Sequence, residues 1–258
     1  MRRRFGQALR LGVSHDALAL VQTSRWGGEA VLLAERPYAA ALPDALAALL
    51  DGAGRAGWPL TIVLADDLVR LWQVTPPADS TRLADLEAAA ALRFQQLYGE
   101  PAAPWQFSAG WDAARPFLAA AMPRALLGAL EQGASAHKLK AVEIVPQFLG
   151  LFNRWRGALR PGAWFGVLHD GVLTLGACDR GAIAAVRAAR VPEGAGAAWL
   201  AEHLDREALR LNLPAPAKLQ LCGDLPPAWI GARASMLGAE APRGWSAAAQ
   251  LAVSGSAA

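Results

Sequence analysis

Two histidine–aspartate pairs are the residues of this chain best suited to chemistry. His15-Asp16 and His169-Asp170 each place an imidazole beside a carboxylate, the combination that general acid–base catalysis uses. Each pair falls between two apolar runs, in a stretch that is predicted to be a turn. Because neighbouring residues of a turn usually point apart, we interpret both pairs as solvated turn residues rather than as catalytic dyads.

A glycine-rich stretch offers a second chemistry, nucleotide binding. Residues 52–57 match GxGxxG, but that motif works when it follows a strand and opens a helix. Here a predicted helix precedes the glycines and the apolar strand Leu60–Leu64 follows them, so we interpret them as the loop that ends the helix. The sequence also contains no GxxxxGK[ST], GxSxG or HExxH motif and no zinc-type cysteine pairing.

The composition is that of a folded chain with a substantial core. It has 258 residues, of which 54% are hydrophobic and 18% charged, enough for two lobes of about 100–150 residues each. The net charge of +3 is spread over single arginines, which argues against nucleic-acid binding. No apolar run has a membrane-spanning length, and Arg2–Arg4 lack the apolar segment of a signal peptide. We expect Cys178 and Cys222 to be free thiols in a reducing cytoplasm.

The predicted turns belong to two similar three-stranded meanders, Leu9–Arg36 and Trp164–Val191. An Ala/Leu-rich helix and then a short apolar strand follow each meander. The helices are Leu42–Leu50 and Ala197–Leu211, and the strands are Leu60–Leu64 and Lys218–Leu221. The sequence therefore predicts an α/β protein in which a β-β-β-α-β unit is used twice.

The remaining segments suggest an insertion within the first unit. Strand Val69–Val74 precedes the helix Asp79–Leu97, which Asp79 or Ser80 can cap, and two further strands follow. We expect a first lobe over residues 1–78, a small inserted subdomain over 79–122, and a helix, strand and crossover helix over 123–160. A second lobe with a reduced lid is expected over 161–246 and a flexible tail over 247–258.

This order resembles the actin-like (ribonuclease H-like) fold. More narrowly, it resembles the cytoplasmic actin-like proteins of type IV pilus assembly, the PilM family, with their MSHA-pilus relatives and the cytoplasmic part of GspL. The resemblance covers about Leu9 to Asp224. The segments that carry it are Leu83–Leu97, Trp105–Trp111, Phe117–Met122, Lys138–Pro146 and Leu219–Gly223.

The chain departs from the family's pattern at its nucleotide loops, so what it resembles is a degenerate member of that family. Active members carry Asp-x-Gly and then a lysine in the first loop, and these positions fall here on Gly12, Ser14 and Ala19. The Asp of the second loop falls near Val167 or Leu168, with Asp170-Gly171 beyond it. The final double glycine is reduced to Gly223-Asp224.

These departures imply that the chain neither hydrolyses a nucleotide nor needs a cofactor, because the carboxylates and the cation that compensate a triphosphate with magnesium are missing. The positions left at the loops are Gly12, Ser14, Asp16, Asp170, Gly171 and Gly223. The alternative is a divergent ATPase that still binds ATP with magnesium, in which Asp16 or Asp170 replaces the lost metal ligands.

The resemblance further implies a cytoplasmic scaffold at the periphery of the inner membrane, which reaches the membrane only through partners. The expected partner is the cytoplasmic N-terminal segment of a bitopic inner-membrane pilus or secretion protein, and an assembly ATPase is a second candidate. The family's binding groove lies between the first lobe and the inserted subdomain, and it falls here near Leu60–Val74 and Leu83–Phe94. Its expected contacts are Arg70, Trp72, Arg93 and Gln96, with Trp72 as ordinary core and Arg93 as a solvated residue as the alternative.

Overall fold

A computed structural model describes residues 6–24, 29–38, 41–179, 182–231, 233–238 and 244–255. Its strands are β1 Gln7–Val13, β2 Ala17–Ser24, β3 Val31–Pro37, β4 Pro59–Leu64, β5 Arg70–Val74, β6 Trp105–Ala109, β7 Phe117–Pro123, β8 Lys140–Pro146, β9 Ala163–His169, β10 Val172–Asp179, β11 Ala182–Arg190, β12 Lys218–Gly223 and β13 Ala234–Met236. Its helices are α1 Leu42–Asp51, α2 Leu83–Tyr98, α3 Arg124–Ala136, α4 Gln147–Trp155, α5 Ala197–Leu211 and α6 Ala247–Val253.

Two five-stranded sheets share one topology. The first has the order β3-β2-β1-β4-β8 and the second the order β11-β10-β9-β12-β13. In each sheet the first three strands along the chain are antiparallel, and the next two add in parallel. Parallel neighbours need a crossover, which α1 supplies between β3 and β4 and α5 between β11 and β12. The predicted duplication is therefore confirmed, and the sheets with their helices are called the first and second lobes below.

The crossover helix α4 joins the cores of the two lobes. Phe148 on α4 is fully buried and packs on Phe165 of β9, with ring centroids 5.4 Å apart. Through this contact the core of the first lobe continues into Val167 and Cys222 of the second sheet. The opposite face of the second sheet packs under α5 in a separate cluster that includes Trp164 and Leu204. The lobes are consequently packed against each other, not merely connected by chain.

The inserted subdomain is larger than the sequence predicts. Strand β5, which we placed in the first lobe, pairs antiparallel with β7 in a third sheet of order β5-β7-β6. Helix α2 covers this sheet, and Phe94 and Trp72 meet at its centre with ring centroids 5.3 Å apart. Arg70–Val74 therefore belongs to the small subdomain and not to the first lobe, because the pairing partner of β5 lies in that subdomain.

The predicted flexible tail is wrong for residues 247–255. Helix α6 lies across β1 and β2. Its residues Ala248, Ala249, Leu251 and Ala252 are each no more than 1% exposed. The Ser246 hydroxyl accepts a hydrogen bond from the amide of Ala249 at the start of the helix. At its other end the Arg10 guanidinium donates to the carbonyls of Ala252 and Ser254, at 2.5 and 2.7 Å. The small side chains of this segment are therefore those of a helix that packs closely on a sheet.

Candidate functional site

The β1–β2 turn of the first lobe is held by its own polar groups. Ser14 is 2% exposed; its hydroxyl donates to Asp16 at 2.8 Å and accepts from the amide of Ala17 at 3.0 Å. The Tyr38 hydroxyl donates to the Ser14 carbonyl. This network fixes the turn and leaves the side chain of His15, which is 46% exposed, directed toward the second lobe.

The β9–β10 turn of the second lobe faces it. Asp170 and Gly171 both have positive φ, 45° and 68°, as a two-residue hairpin loop of the primed type requires, and His169 pairs with Val172 across it. The predicted Asp-Gly turn is confirmed. His169, however, is only 9% exposed, and its Nε2 has no hydrogen-bond partner. The prediction of a solvated histidine is therefore wrong at this position, because β9 ends inside the contact between the lobes.

The two turns and a third segment, the 3₁₀ turn Asp66–Leu68 after β4, border a cleft between the lobes. The Asp66 carboxylate accepts hydrogen bonds from the amide of Phe148, at 2.9 Å, and from the Thr174 hydroxyl. His15 Nδ1 lies 3.7 Å from a carboxylate oxygen of Asp67 and 3.7 Å from one of Asp170. The cavity left among these groups is about 10 Å³, the room of about one water molecule.

Burial dominates the electrostatics of this cleft. It raises the pKa of Asp66 to about 7, an effect that the hydrogen bonds from Phe148 and Thr174 partly oppose. Burial also lowers the pKa of His169, so its neutral form is favoured. The pKa of Tyr38 rises to about 12 because of burial and the nearby carboxylates of Asp16 and Asp67. The cleft thus disfavours additional negative charge.

The structure brings some of the predicted loop positions together and separates others. Ser14 and Asp170 line the cavity, and Asp16 and Gly171 belong to the same two turns. Gly12 does not face the cleft. A β-carbon there would overlap the carbonyl oxygen of Ala248, so this position is glycine because α6 crosses β1 at this point.

Gly223 is likewise explained by backbone packing. Its φ is 110°, and a β-carbon would overlap the carbonyl oxygen of Leu168 on the neighbouring strand. Sequence reasoning missed Asp66, Asp67 and Thr174 as members of the cleft. The available signal was the pair of acidic residues at the carboxyl end of the buried strand β4, beside the end of the parallel strand β1.

A second concave feature lies between the small subdomain and the second lobe and adjoins the cleft at Asp66, Asp67 and Thr174; we call it the α2–β11 groove. It consists of two adjoining hollows of about 640 and 560 Å³. Residues common to both are Leu71, Leu97, Tyr98, Val186 and Arg187. The Gln73 side chain spans the groove and donates to the carbonyl of Ile183 at 3.0 Å. The groove is therefore bordered by the edge strands of two sheets, β5 and β11.

The predicted groove lay between the first lobe and the inserted subdomain, whereas this groove faces the second lobe. The four predicted partner contacts nevertheless all lie along it, in different environments. Arg93 and Gln96 are exposed on α2 and line the smaller hollow. Arg70 lines the larger hollow, where it pairs with Glu100 at 3.4 Å. The ring of Trp72 also borders the smaller hollow, but it is 2% exposed and packs in the aromatic core of the subdomain. Trp72 is consequently corrected to a core residue.

Similar solved structures identify the fold. The chain matches the PilM–PilN type IV pilus biogenesis complex at a TM-score of 0.61 and 17% identity, over 96% of this chain and 94% of that one. It matches the cytoplasmic domain of EpsL, an inner membrane component of the type II secretion system of Vibrio cholerae, at a TM-score of 0.60 and 15% identity, over 96% and 94%. A Bacteroides thetaiotaomicron protein with actin-like ATPase fold and unknown function gives a TM-score of 0.59 and 12% identity, over 85% and 83%. The chain has the actin-like fold.

At the level of sequence, no protein-family model and no curated protein matches the chain. None of the helices in the described part of the chain has the length and hydrophobicity that a bilayer-crossing helix needs. Within the same described ranges, no three His, Cys, Asp or Glu side chains are arranged to hold a metal ion. Of the two concave features, the cleft between the turns is narrow and lined by carboxylates, and the α2–β11 groove is the larger one.

Proposed function

We propose that the chain is a non-catalytic, actin-like cytoplasmic scaffold of a type IV pilus or type II secretion-like machine. In this role it binds the cytoplasmic segment of an inner-membrane partner. The observation that carries the proposal is the contrast between the two concave features: about 10 Å³ in the cleft between the turns and about 640 and 560 Å³ in the α2–β11 groove. The similarity to the PilM–PilN complex and to EpsL supports the choice of machine.

The charges of the cleft support the absence of nucleotide chemistry. Asp66, Asp67 and Asp170 line it, and no lysine or arginine is among its described lining residues. A nucleoside triphosphate brings about four negative charges whose desolvation needs cations at the site. Within the cleft itself, neither the space nor the charge suits such a ligand; the arginines nearby, Arg70, Arg187 and Arg190, line the adjoining larger hollow of the groove.

The groove supports a role in protein binding. Its smaller hollow is lined by apolar side chains, including Leu92 at 60% and Leu97 at 41% exposure, together with Arg93 and Arg187. Glu207, which is 4% exposed, holds Arg187 in place through an ion pair of 3.3 Å. A groove with both apolar and polar lining, bordered by the edge strands β5 and β11, suits an extended peptide segment.

The first test is isothermal titration of the purified protein with ATP and magnesium, with a thermal-shift control. We expect no heat and no shift at millimolar ATP. Micromolar binding would overturn the non-catalytic assignment and direct attention to Asp16 and Asp170 as metal ligands.

The second test concerns the groove. The probe is a labelled peptide with the cytoplasmic N-terminal sequence of the neighbouring bitopic pilus protein, titrated by fluorescence anisotropy. Arg93→Glu should weaken binding about tenfold or more, because it reverses a charge within the hollow. The matched control is Arg115→Glu, since Arg115 is an 82% exposed arginine of the same subdomain outside the hollow. Equal affinities for the two variants would refute the groove as the binding site.

A further inference from the structure

One ion-pair cluster beside the smaller hollow of the α2–β11 groove has an excess of positive charge. Glu207 of α5 accepts from Arg187 Nε at 3.3 Å and from Arg210 Nη1 at 2.7 Å, so two arginines share one carboxylate. Glu207 is 4% exposed, whereas the side chains of Arg187 and Arg210 are 47% and 58% exposed. Another arginine, Arg93 of α2, lines the same hollow, and no carboxylate is among the described residues that line it. The hollow therefore keeps uncompensated positive charge.

The geometry of this cluster leaves the end of the Arg187 side chain available. Its contact with Glu207 uses Nε, and within the described ranges no residue accepts a hydrogen bond from its terminal nitrogens, Nη1 and Nη2. The hydroxyl of Tyr98, which borders the same hollow, donates to the carbonyl of Leu71 at 3.0 Å. A guanidinium that a buried carboxylate holds at Nε keeps its two terminal nitrogens in a fixed plane. That arrangement can bind a second carboxylate at two points.

Arg70, in the larger hollow, already has an acidic partner. It pairs with Glu100 at 3.4 Å, and its guanidinium lies over the rings of Tyr98 and Trp105, 5.6 and 5.3 Å from their centroids. Glu100 and Asp67 both line that hollow, so it contains negative as well as positive groups. The smaller hollow, which has arginines and no carboxylate among its described lining residues, is consequently the better place for an added negative charge.

Apolar side chains beside these arginines indicate a peptide segment rather than a small anion. Leu92 and Leu97 of α2 are 60% and 41% exposed, and they line the smaller hollow together with Val186 of β11. The volume of this hollow, about 560 Å³, has room for several side chains and not only for one carboxylate. A ligand that fills it therefore combines apolar groups with negative charge.

We propose that the smaller hollow recognises a partner segment that combines acidic and apolar residues. An aspartate or glutamate of that segment binds end-on to Arg187, and its apolar neighbours pack on Leu92 and Leu97. Arg93 adds to the attraction from α2, and Glu207 positions the guanidinium of Arg187. This inference rests on the proposed function and specifies the chemistry of the segment that the scaffold binds.

The experiment selects ligands from a library of random short peptides displayed on phage, with the full chain as bait. We expect the enriched sequences to contain an aspartate or glutamate beside apolar residues. A selected peptide is then labelled and titrated by fluorescence anisotropy, next to a copy in which each acidic residue is replaced by its amide. The amide copy should bind the parent protein about tenfold more weakly, because it lacks the charge that pairs with the guanidinium.

Variants of Arg187 connect this acid preference to one side chain. Arg187→Gln should reduce the difference between the two peptides to about twofold or less, and Arg187→Lys, which keeps the charge without the planar fork, should retain part of it. Glu207 keeps Arg210 as a partner in both variants, so we expect the fold to be retained. The matched control is Arg115→Gln, which removes an 82% exposed arginine outside the hollow and should leave the tenfold difference unchanged.

Three results would overturn the inference. The first is a selection that enriches no peptides or only peptides without acidic residues, and the second is an acid preference that Arg187→Gln leaves at about tenfold. The third is binding to vesicles of phosphatidylcholine and phosphatidylglycerol that Arg187→Gln abolishes, because the hollow would then serve a lipid surface. None of these results decides the scaffold function, which the titration of the pilus-protein segment against Arg93→Glu tests separately.

Discussion

Gly12 provides the sharpest test of how the C-terminal segment is packed. The family resemblance maps this position to the first nucleotide loop, but the structure places it beneath α6. A β-carbon added by Gly12→Ala would overlap the carbonyl oxygen of Ala248 and lie 2.8 Å from the amide nitrogen of Ala252. Both obstacles are helix backbone, which cannot rotate away as a flexible side chain can. Either α6 shifts or it detaches from the sheet.

The size of the effect follows from what α6 buries. Leu251 and three alanines, Ala248, Ala249 and Ala252, are 0–1% exposed. Their burial is worth roughly 4 kcal/mol at about 2 for the leucine and 0.8 for each methyl group, and regained chain entropy offsets part of that loss. Shifting the helix instead costs about 1–3 kcal/mol, as overpacking does. We therefore expect Gly12→Ala to lower the free energy of unfolding by about 2–3 kcal/mol, or the Tm by roughly 5–10 °C.

Calorimetry measures the loss of stability, and hydrogen exchange identifies the segment in which it occurs. The amides of α6, such as that of Gln250, should lose protection first. The control is Gly128→Ala in α3, where a β-carbon meets nothing within 4 Å and the change should raise stability by up to about 1 kcal/mol. A Gly12→Ala protein that melts within about 1 °C of the parent, with α6 still protected, would refute the packing argument.

Three further predictions concern charged groups. The raised pKa of Asp66, about 7, means that the folded state binds its proton more tightly than the unfolded state, so stability falls as pH rises from about 4 to 7. Asp66→Asn should flatten that dependence and gain about 1–3 kcal/mol at pH 8 in urea unfolding; an unchanged pH profile would contradict this. A backbone carbonyl of α3 and the carboxylate of Asp51 raise the pKa of His137. The contribution of this histidine to the stability of the folded state is therefore present at low pH and is lost as pH rises through the raised pKa. Asp51→Asn should lower the Tm at pH 5.5 by an amount equivalent to less than about 1 kcal/mol and leave it unaltered at pH 8.5. Glu207→Gln should cost about 1–2 kcal/mol, because this 4% exposed carboxylate pairs with Arg187 and a second arginine; chemical unfolding that shows no loss would count against the ion pairs.

Local signals predicted most of the elements but misplaced some of their ends. Helix α2 begins at Leu83 and not at the predicted cap, because Asp79 adopts a φ of 60° and Ser80 donates to the carbonyl of Pro77. The same polar residues that cap helices also close turns, so sequence alone does not decide between the two. The candidate site was predictable to the extent that the β1–β2 and β9–β10 turns were recognised in corresponding positions of the two repeated units.

The sequence by itself determined the duplicated order of strands and helices and the loop at Asp170-Gly171, because alternation, apolar runs and positive φ are properties of neighbouring residues. Tertiary structure decided which distant groups meet. The junction of Asp66 with Thr174, the burial of His169 and the docking of α6 across Gly12 each depend on surfaces far apart in the chain. No local sequence pattern predicts such contacts, because an aspartate or alanine in a turn or tail is exposed to solvent unless a distant element of the fold covers it.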